Sequence, residues 1–249
     1  MFALRIVKST IVLTMLLVAG GCVTHQENGP VPTPVVTGLS SKSMTVGSEE
    51  LKYGVYVPDD YDAKKKWPLI IFLHGMGERG SDGVLQTQVG IGPAIQKNPE
   101  RFPCIVVMPQ CPKTSVWNDR HDIIAESIAR SLADYNVDKS RIVLTGLSMG
   151  GYGTWSYGAA HVNTFAALLP VCGGGKPEDA PTLAKVPIRV YHGGADSVVR
   201  PELSRAMFDA IKKAGGDIGY TEYAGVDHNS WDLTYGDPQV IEWMLAQKK

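Results

Sequence analysis

The chain has 249 residues, 44% of them hydrophobic and 20% charged, enough to bury one sizeable core without dividing into two. Its formal net charge is −1, and removal of residues 1–21 takes away Arg5 and Lys8 and leaves −3. That balance supplies no basic surface and argues against nucleic acid as a partner.

The N-terminus reads as a targeting segment. Arg5 and Lys8 precede an apolar stretch over 11–19 that is too short to span a bilayer comfortably. It ends in Ala19-Gly20-Gly21-Cys22, which resembles a bacterial lipobox with Cys22 as the first mature residue; ordinary secretory cleavage is the alternative. Residues 1–21 are therefore expected to be a lipoprotein-type signal peptide. Several acyl chains on Cys22 would tether the protein firmly, so contact with the membrane is expected through the lipid anchor only. The expected location is the bacterial cell envelope, at the outer membrane or in the periplasm, or else outside the cell. Residues 22–43 read as a linker, with Pro30, Pro32 and Pro34 among small polar residues that favour extended chain. The folded domain is expected over 44–249.

Within that domain strands and helices alternate. Short strands over 43–45 and 51–57 could form an opening hairpin around Gly47-Ser48. Apolar strands follow over 69–73, 104–108, 141–145, 165–171, 188–191 and 218–223, with helices over 90–95, 122–135, 150–160, 201–214 and 238–246. The run 69–73 is continuously apolar, as a strand covered on both faces should be. Ile124, Ile128, Leu132 and Tyr135 form a stripe at three- and four-residue steps, suited to a helix lying on a sheet. Pro201 suits a first helical residue, and Gly215-Gly216 ends that helix. This order predicts an α/β fold, a mostly parallel doubly wound sheet with helices on both faces.

The chemistry-bearing motifs fall at strand ends. Gly146-Leu147-Ser148-Met149-Gly150 follows the strand over 141–145 and precedes a small-residue helix. G-x-S-x-G in that position is a nucleophile elbow, a turn too tight for side chains on its flanks, which lifts the Ser148 hydroxyl above the sheet edge. Asp196 follows the strand over 188–191, and His228 follows the strand over 218–223. The order Ser148, Asp196, His228 supplies nucleophile, orienting acid and general base. Asp227 is a rival acid, but a sequence neighbour rarely points back at the far ring nitrogen. Two backbone N–H groups are expected to form the oxyanion hole, Met149 after the nucleophile and Met76 in the Gly-rich loop His74-Gly75-Met76-Gly77. His74 and His192, also at strand ends, are read as braces of their loops. Trp155 is expected in the core, whereas Trp117 and Trp231 are candidate substrate contacts at the rim. There is no H-E-x-x-H or C-x-x-C pattern and no dinucleotide signature, so neither metal nor cofactor is expected. Cys104 and Cys172 read as buried thiols, and the spacing does not support a disulfide involving Cys111.

With His192-Gly193-Gly194-Ala195-Asp196 and His228-Asn229-Ser230-Trp231, these motifs resemble the single-domain α/β-hydrolases known as predicted peptidases. That group is similar to polyhydroxybutyrate depolymerases and to feruloyl and acetylxylan esterases. The resemblance runs from about residue 51 to the C-terminus and implies Ser148 as nucleophile, His228 as base and Asp196 as acid. Only the stretch 173–185 separates the strand after the nucleophile helix from the next, so no large cap domain is expected. An open cleft suits carboxylic esters attached to a polymer, such as feruloyl or acetyl groups on polysaccharide, or a polyester. The alternatives are a serine peptidase acting on short peptides and a non-catalytic, glycan-binding surface lipoprotein. No motif speaks to oligomeric state.

Overall fold

The computed structural model describes residues 35–249. The expected signal peptide, Cys22 and the proline-containing part of the expected linker lie outside the described residues. Eight strands form one sheet: β1 (Gly38–Val46), β2 (Glu49–Val57), β3 (Trp67–Leu73), β4 (Ile105–Pro109), β5 (Val137–Leu147), β6 (Ala167–Val171), β7 (Ile188–Gly193) and β8 (Ile218–Tyr223). Among the described residues seven α-helices accompany them: α1 (Ile91–Lys97), α2 (His121–Asp134), α3 (Met149–Ala160), α4 (Ala180–Leu183), α5 (Glu202–Lys213), α6 (Trp231–Gly236) and α7 (Pro238–Ala246). The strand order is β1-β2-β4-β3-β5-β6-β7-β8. β1 pairs with β2, and β2 with β4, antiparallel; every other pairing is parallel.

The layering follows from the two-residue period of a strand. Every residue of β3 is buried. Leu69, Ile71 and Leu73 enter one apolar layer with Ile124 and Ile128 of α2, Trp155 of α3 and Met207 and Ile211 of α5. Ile70 and Phe72 enter the other with Ile91 and Ile95 of α1, Tyr235 of α6 and Val240 and Met244 of α7. A fully buried Leu, Ile or Phe contributes about 1.5–3 kcal/mol, so this central strand anchors both layers. The expected α/β architecture, with helices on both faces, is what the chain adopts. Between β6 and β7 there is a 3₁₀ turn at Pro177–Asp179 and the four-residue α4, not a large cap.

Two boundaries differ from expectation. β1 begins at Gly38, not at residue 43, so the last residues of the expected linker belong to the sheet. Ser40, Ser41, Lys42 and Ser43 carry no apolar signal. They become strand because their backbone pairs with β2 from Gly38 opposite Val57 to Val46 opposite Glu49, and only Met44 and Val46 are buried. Pro201 is the cap residue before α5, not its first residue. The short helices α4 and α6 were not expected, being too brief to display a helical period.

Candidate active site

The local backbone explains the glycines of the elbow. Ser148 sits at φ +52°, a left-handed conformation that side chains rarely adopt, between the end of β5 and the start of α3. A Cβ on Gly146 would lie 2.4 Å from the Gly150 carbonyl oxygen, and one on Gly150 would lie 1.9 Å from the Leu73 carbonyl oxygen. Both contacts are with backbone that cannot yield, so only glycine lets α3 start this close to β3 and β5. The Ser148 N–H donates to the Val171 carbonyl at 2.9 Å and ties the turn to β6.

The parallel strands bring three predicted residues together at the carboxyl edge of the sheet, where ligands of open α/β sheets bind. His228, five residues beyond β8, places Nε2 2.9 Å from Ser148 Oγ and Nδ1 2.8 Å from Asp196 Oδ2. Asp196, three residues beyond β7, has a fully buried side chain. Its Oδ1 accepts the N–H groups of Val198 and Val199 at 2.9 and 2.8 Å. Burial pushes the Asp196 carboxyl up, but the His228 hydrogen bond and the two amides outweigh it and hold the group below the usual carboxylate range. Asp227 is committed elsewhere: its Oδ1 accepts the N–H groups of Ser197 and His228, both at 2.8 Å, and the Ser197 hydroxyl at 2.9 Å.

Met149 opens α3 and Met76 opens a 3₁₀ turn after β3, so both N–H groups stand at helical N-termini, where no partner inside the turn exists. Met76, Met149 and Ser148 line one cleft of about 360 Å³ with Val116, Asn118, Tyr152, Val198 and Val199, most of it apolar. Asn118 and Tyr152 also line a second, more polar cleft of about 550 Å³ that includes His121, Ser156, Lys176 and Asp179. Val116, Asn118, Val198 and Val199 were not singled out in the sequence, and Tyr152, noted among the aromatic residues near the rim, was not chosen as a substrate contact. The available signals were that Tyr152 stands one helical turn beyond Ser148 and that Val198-Val199 follows Asp196 within the same loop.

The aromatic expectations divide. Trp117 is fully buried and is not a rim contact. Its Nε1–H donates to the His74 carbonyl at 2.9 Å, its indole packs edge-on to the His74 ring, and it fills the space left open by Gly153, whose Cβ would lie 2.6 Å from that of Trp117. Trp231 is half-buried and packs edge-on against the His228 ring at 5.3 Å. Trp155 is buried in the core. His74 braces its loop: Nε2 accepts the Cys111 N–H at 2.9 Å, which leaves Nδ1 to donate to the Gly75 carbonyl at 2.6 Å. Burial pulls its pKa down to about 4. His192 lies buried beside Asp196, with Nε2 2.9 Å from the Val199 carbonyl and Nδ1 2.7 Å from Ser204 Oγ.

Cys104, Cys111 and Cys172 are buried free thiols. Cys172 sits with Asp196 and His228 so that the ligand atoms of all three lie within 4.8 Å of one another. Burial pushes its thiol up to about 12, so it remains protonated, and the other two groups are bonded to each other.

The eight-stranded, mostly parallel sheet with helices on both faces and a sharp turn at Ser148 between β5 and α3 is an α/β-hydrolase fold. The chain belongs to the dienelactone hydrolase family, whose model matches residues 92–231, more than half of its length. Among solved structures it is similar to a thermostable esterase at 35% identity and a TM-score of 0.77, over 85% of this chain and 63% of that one. The chain thus spans less than two thirds of that esterase. It shares its fold with a feruloyl esterase module from Clostridium thermocellum complexed with sinapinate, at 18% identity and a TM-score of 0.69, over 87% of this chain and 91% of that one. It also shares it with a ferulic acid esterase from Anaeromyces mucronatus in complex with ferulic acid, at 19% identity and a TM-score of 0.65, over 88% and 93%. No curated protein matches the sequence.

Proposed function

We propose that the protein hydrolyses carboxylic esters through an acyl-enzyme on Ser148. The observation that carries this reading is the continuous hydrogen-bond chain from Ser148 through His228 to Asp196, opening on a mostly apolar cleft. The His228 ring takes the Ser148 proton through Nε2 as Oγ attacks the ester carbonyl, and Asp196 stabilises the resulting imidazolium at Nδ1. The Met76 and Met149 N–H groups receive the oxyanion, each donor contributing on the order of 10²–10³ in rate. His228 then gives its proton to the leaving alcohol, and water repeats the sequence to release the acid.

The apolar cleft suits an aromatic acyl group such as ferulate, and the polar cleft that shares Asn118 and Tyr152 suits a hydroxyl-rich alcohol such as a sugar on a polymer. The absence of a large cap among the described residues leaves room for that polymer. Hydrolysis of p-nitrophenyl acetate and methyl ferulate by the wild type and by Ser148→Ala tests the reading. Turnover in the wild type that falls at least about 10³-fold in the variant is expected. Equal turnover in both, or none with either ester while a peptide amide is cleaved, would overturn it.

A further inference from the structure

We infer that His192 is a positioning residue for the Ser148–His228–Asp196 chain, holding the same Asp196 oxygen that His228 engages; this rests on the esterase reading above. The Nδ1 of His228 and the Nε2 of His192 lie 2.8 Å and 3.1 Å from Asp196 Oδ2. The His192 side chain is wholly buried, as is that of Asp196. Its Nε2 faces two acceptors, Oδ2 and the Val199 carbonyl, so this nitrogen carries the proton and donates. The other nitrogen faces the Ser204 hydroxyl, which also lies 3.0 Å from the Gly173 carbonyl. Burial pulls the ring's pKa below that of a free histidine, which keeps it neutral at neutral pH.

A brace for the loop would need only the contacts to Val199 and Ser204. The approach to Oδ2 adds a consequence for the base. Two backbone amides donate to Oδ1 and the His228 ring meets Oδ2, while the His192 Nε2–H, bonded to the Val199 carbonyl, also stands 3.1 Å from Oδ2 and restrains Asp196 on that side. Each donor also draws charge from the bond to His228 and so weakens the stabilisation of imidazolium. Loss of the His192 contact should therefore strengthen the Asp196–His228 bond and move the acid limb of the rate profile to higher pH.

The other ionisable groups facing this cluster keep a constant charge across the acid limb of the profile. Tyr152 and Cys172 are held neutral by burial. Glu222, bonded to Arg205 and Tyr220, is drawn down to about 2, and Asp227 lies below its usual range through its bonds to Ser197. The positive charge of Arg205 does not change in this range.

The test is the pH profile of kcat/KM on p-nitrophenyl acetate for the wild type, His192→Leu and His192→Gln, with folding checked by circular dichroism and thermal melting. His192→Leu should lower the plateau about tenfold and move the acid midpoint up by about one unit. His192→Gln, which keeps an N–H near the Nε2 position, should bring the midpoint back toward the wild type. A folded His192→Leu with an unmoved midpoint overturns the role, since a lost brace would lower the rate alone. Should His192→Leu fail to fold, the ¹⁵N imidazole spectrum of the wild type decides. The role requires a neutral His192 protonated at Nε2 whose resonance moves in Asp196→Asn; a proton on Nδ1, or no movement, overturns it. An inactive wild type, or a Ser148→Ala variant of equal activity, overturns the esterase reading itself, an outcome distinct from an active enzyme with an unmoved midpoint.

Discussion

At the scale of single residues the two neighbouring carboxylates, Asp196 and Asp227, have separate duties. Asp196 is buried and meets the His228 ring, whereas Asp227 is fully exposed and tethers the Ser197 loop to the His228 backbone. Asp196→Asn should lower turnover about 10⁴-fold, because an amide there leaves the ring in the wrong tautomer. Asp227→Asn should cost less than about tenfold, since the oxygen that accepts both amides is retained. Steady-state rates of the two variants check this, and reversed magnitudes would reassign the acid. The convergence of Ser148, Asp196 and His228 was legible because the motifs set each of them just beyond a strand end. Trp117 was not. Nothing in Val116-Trp117-Asn118 tells that a 3₁₀ turn folds the indole inward beneath Gly153. The same sequence at an exposed turn would have made a rim contact.

Among elements, the approach of α3 to β3 and β5 sets the position of the nucleophile. Gly150→Ala would drive a methyl group into the Leu73 carbonyl, a contact that neither element can relieve by a side-chain rotation. The expected result is a loss of about 2–3 kcal/mol of stability together with most of the activity, measured by denaturant titration and ester turnover. A variant of wild-type stability would mean that the elbow is looser than its backbone contacts require. Central strands were readable from sequence because residues buried on both faces leave an uninterrupted apolar run, as in β3. The polar half of β1 was not, since an edge strand is held by its hydrogen-bonded partner and leaves alternate side chains in water. α6 escaped for a related reason: its six residues contribute only Thr234 and Tyr235 to the interior, too few to set a period.

For the molecule as a whole, the buried groups that brace the sheet edge predict acid sensitivity. His74 has a pKa of about 4 in the folded chain against 6.5 for a free histidine, so between those values the unfolded state binds the extra proton. The resulting stability is complete above about pH 6.5 and is lost as the pH falls toward 4, by about 3 kcal/mol. Asp196, with its lowered pKa, acts in the same direction: its contribution is present above the ordinary carboxylate range and is lost as the pH falls through its folded value. Melting temperatures measured from pH 8 to pH 4 should therefore decline most steeply below about pH 6.5. A flat curve would remove His74 from the account. The linear order of motifs made this architecture legible, since a serine, an aspartate and a histidine beyond the ends of β5, β7 and β8 specify a parallel sheet that brings them to one edge. The contours of the clefts were not legible, because they are formed by residues from separate loops that only the folded sheet brings together.

The central claim is a covalent intermediate on Ser148. Its most direct test is mass spectrometry of the protein quenched in acid during turnover of p-nitrophenyl acetate, followed by peptide mapping. The account predicts one acetyl group on the peptide that carries Ser148, absent from Ser148→Ala. An unmodified Ser148 under continuing turnover, or an acetyl group on another residue in an enzyme that Ser148→Ala leaves active, would contradict it.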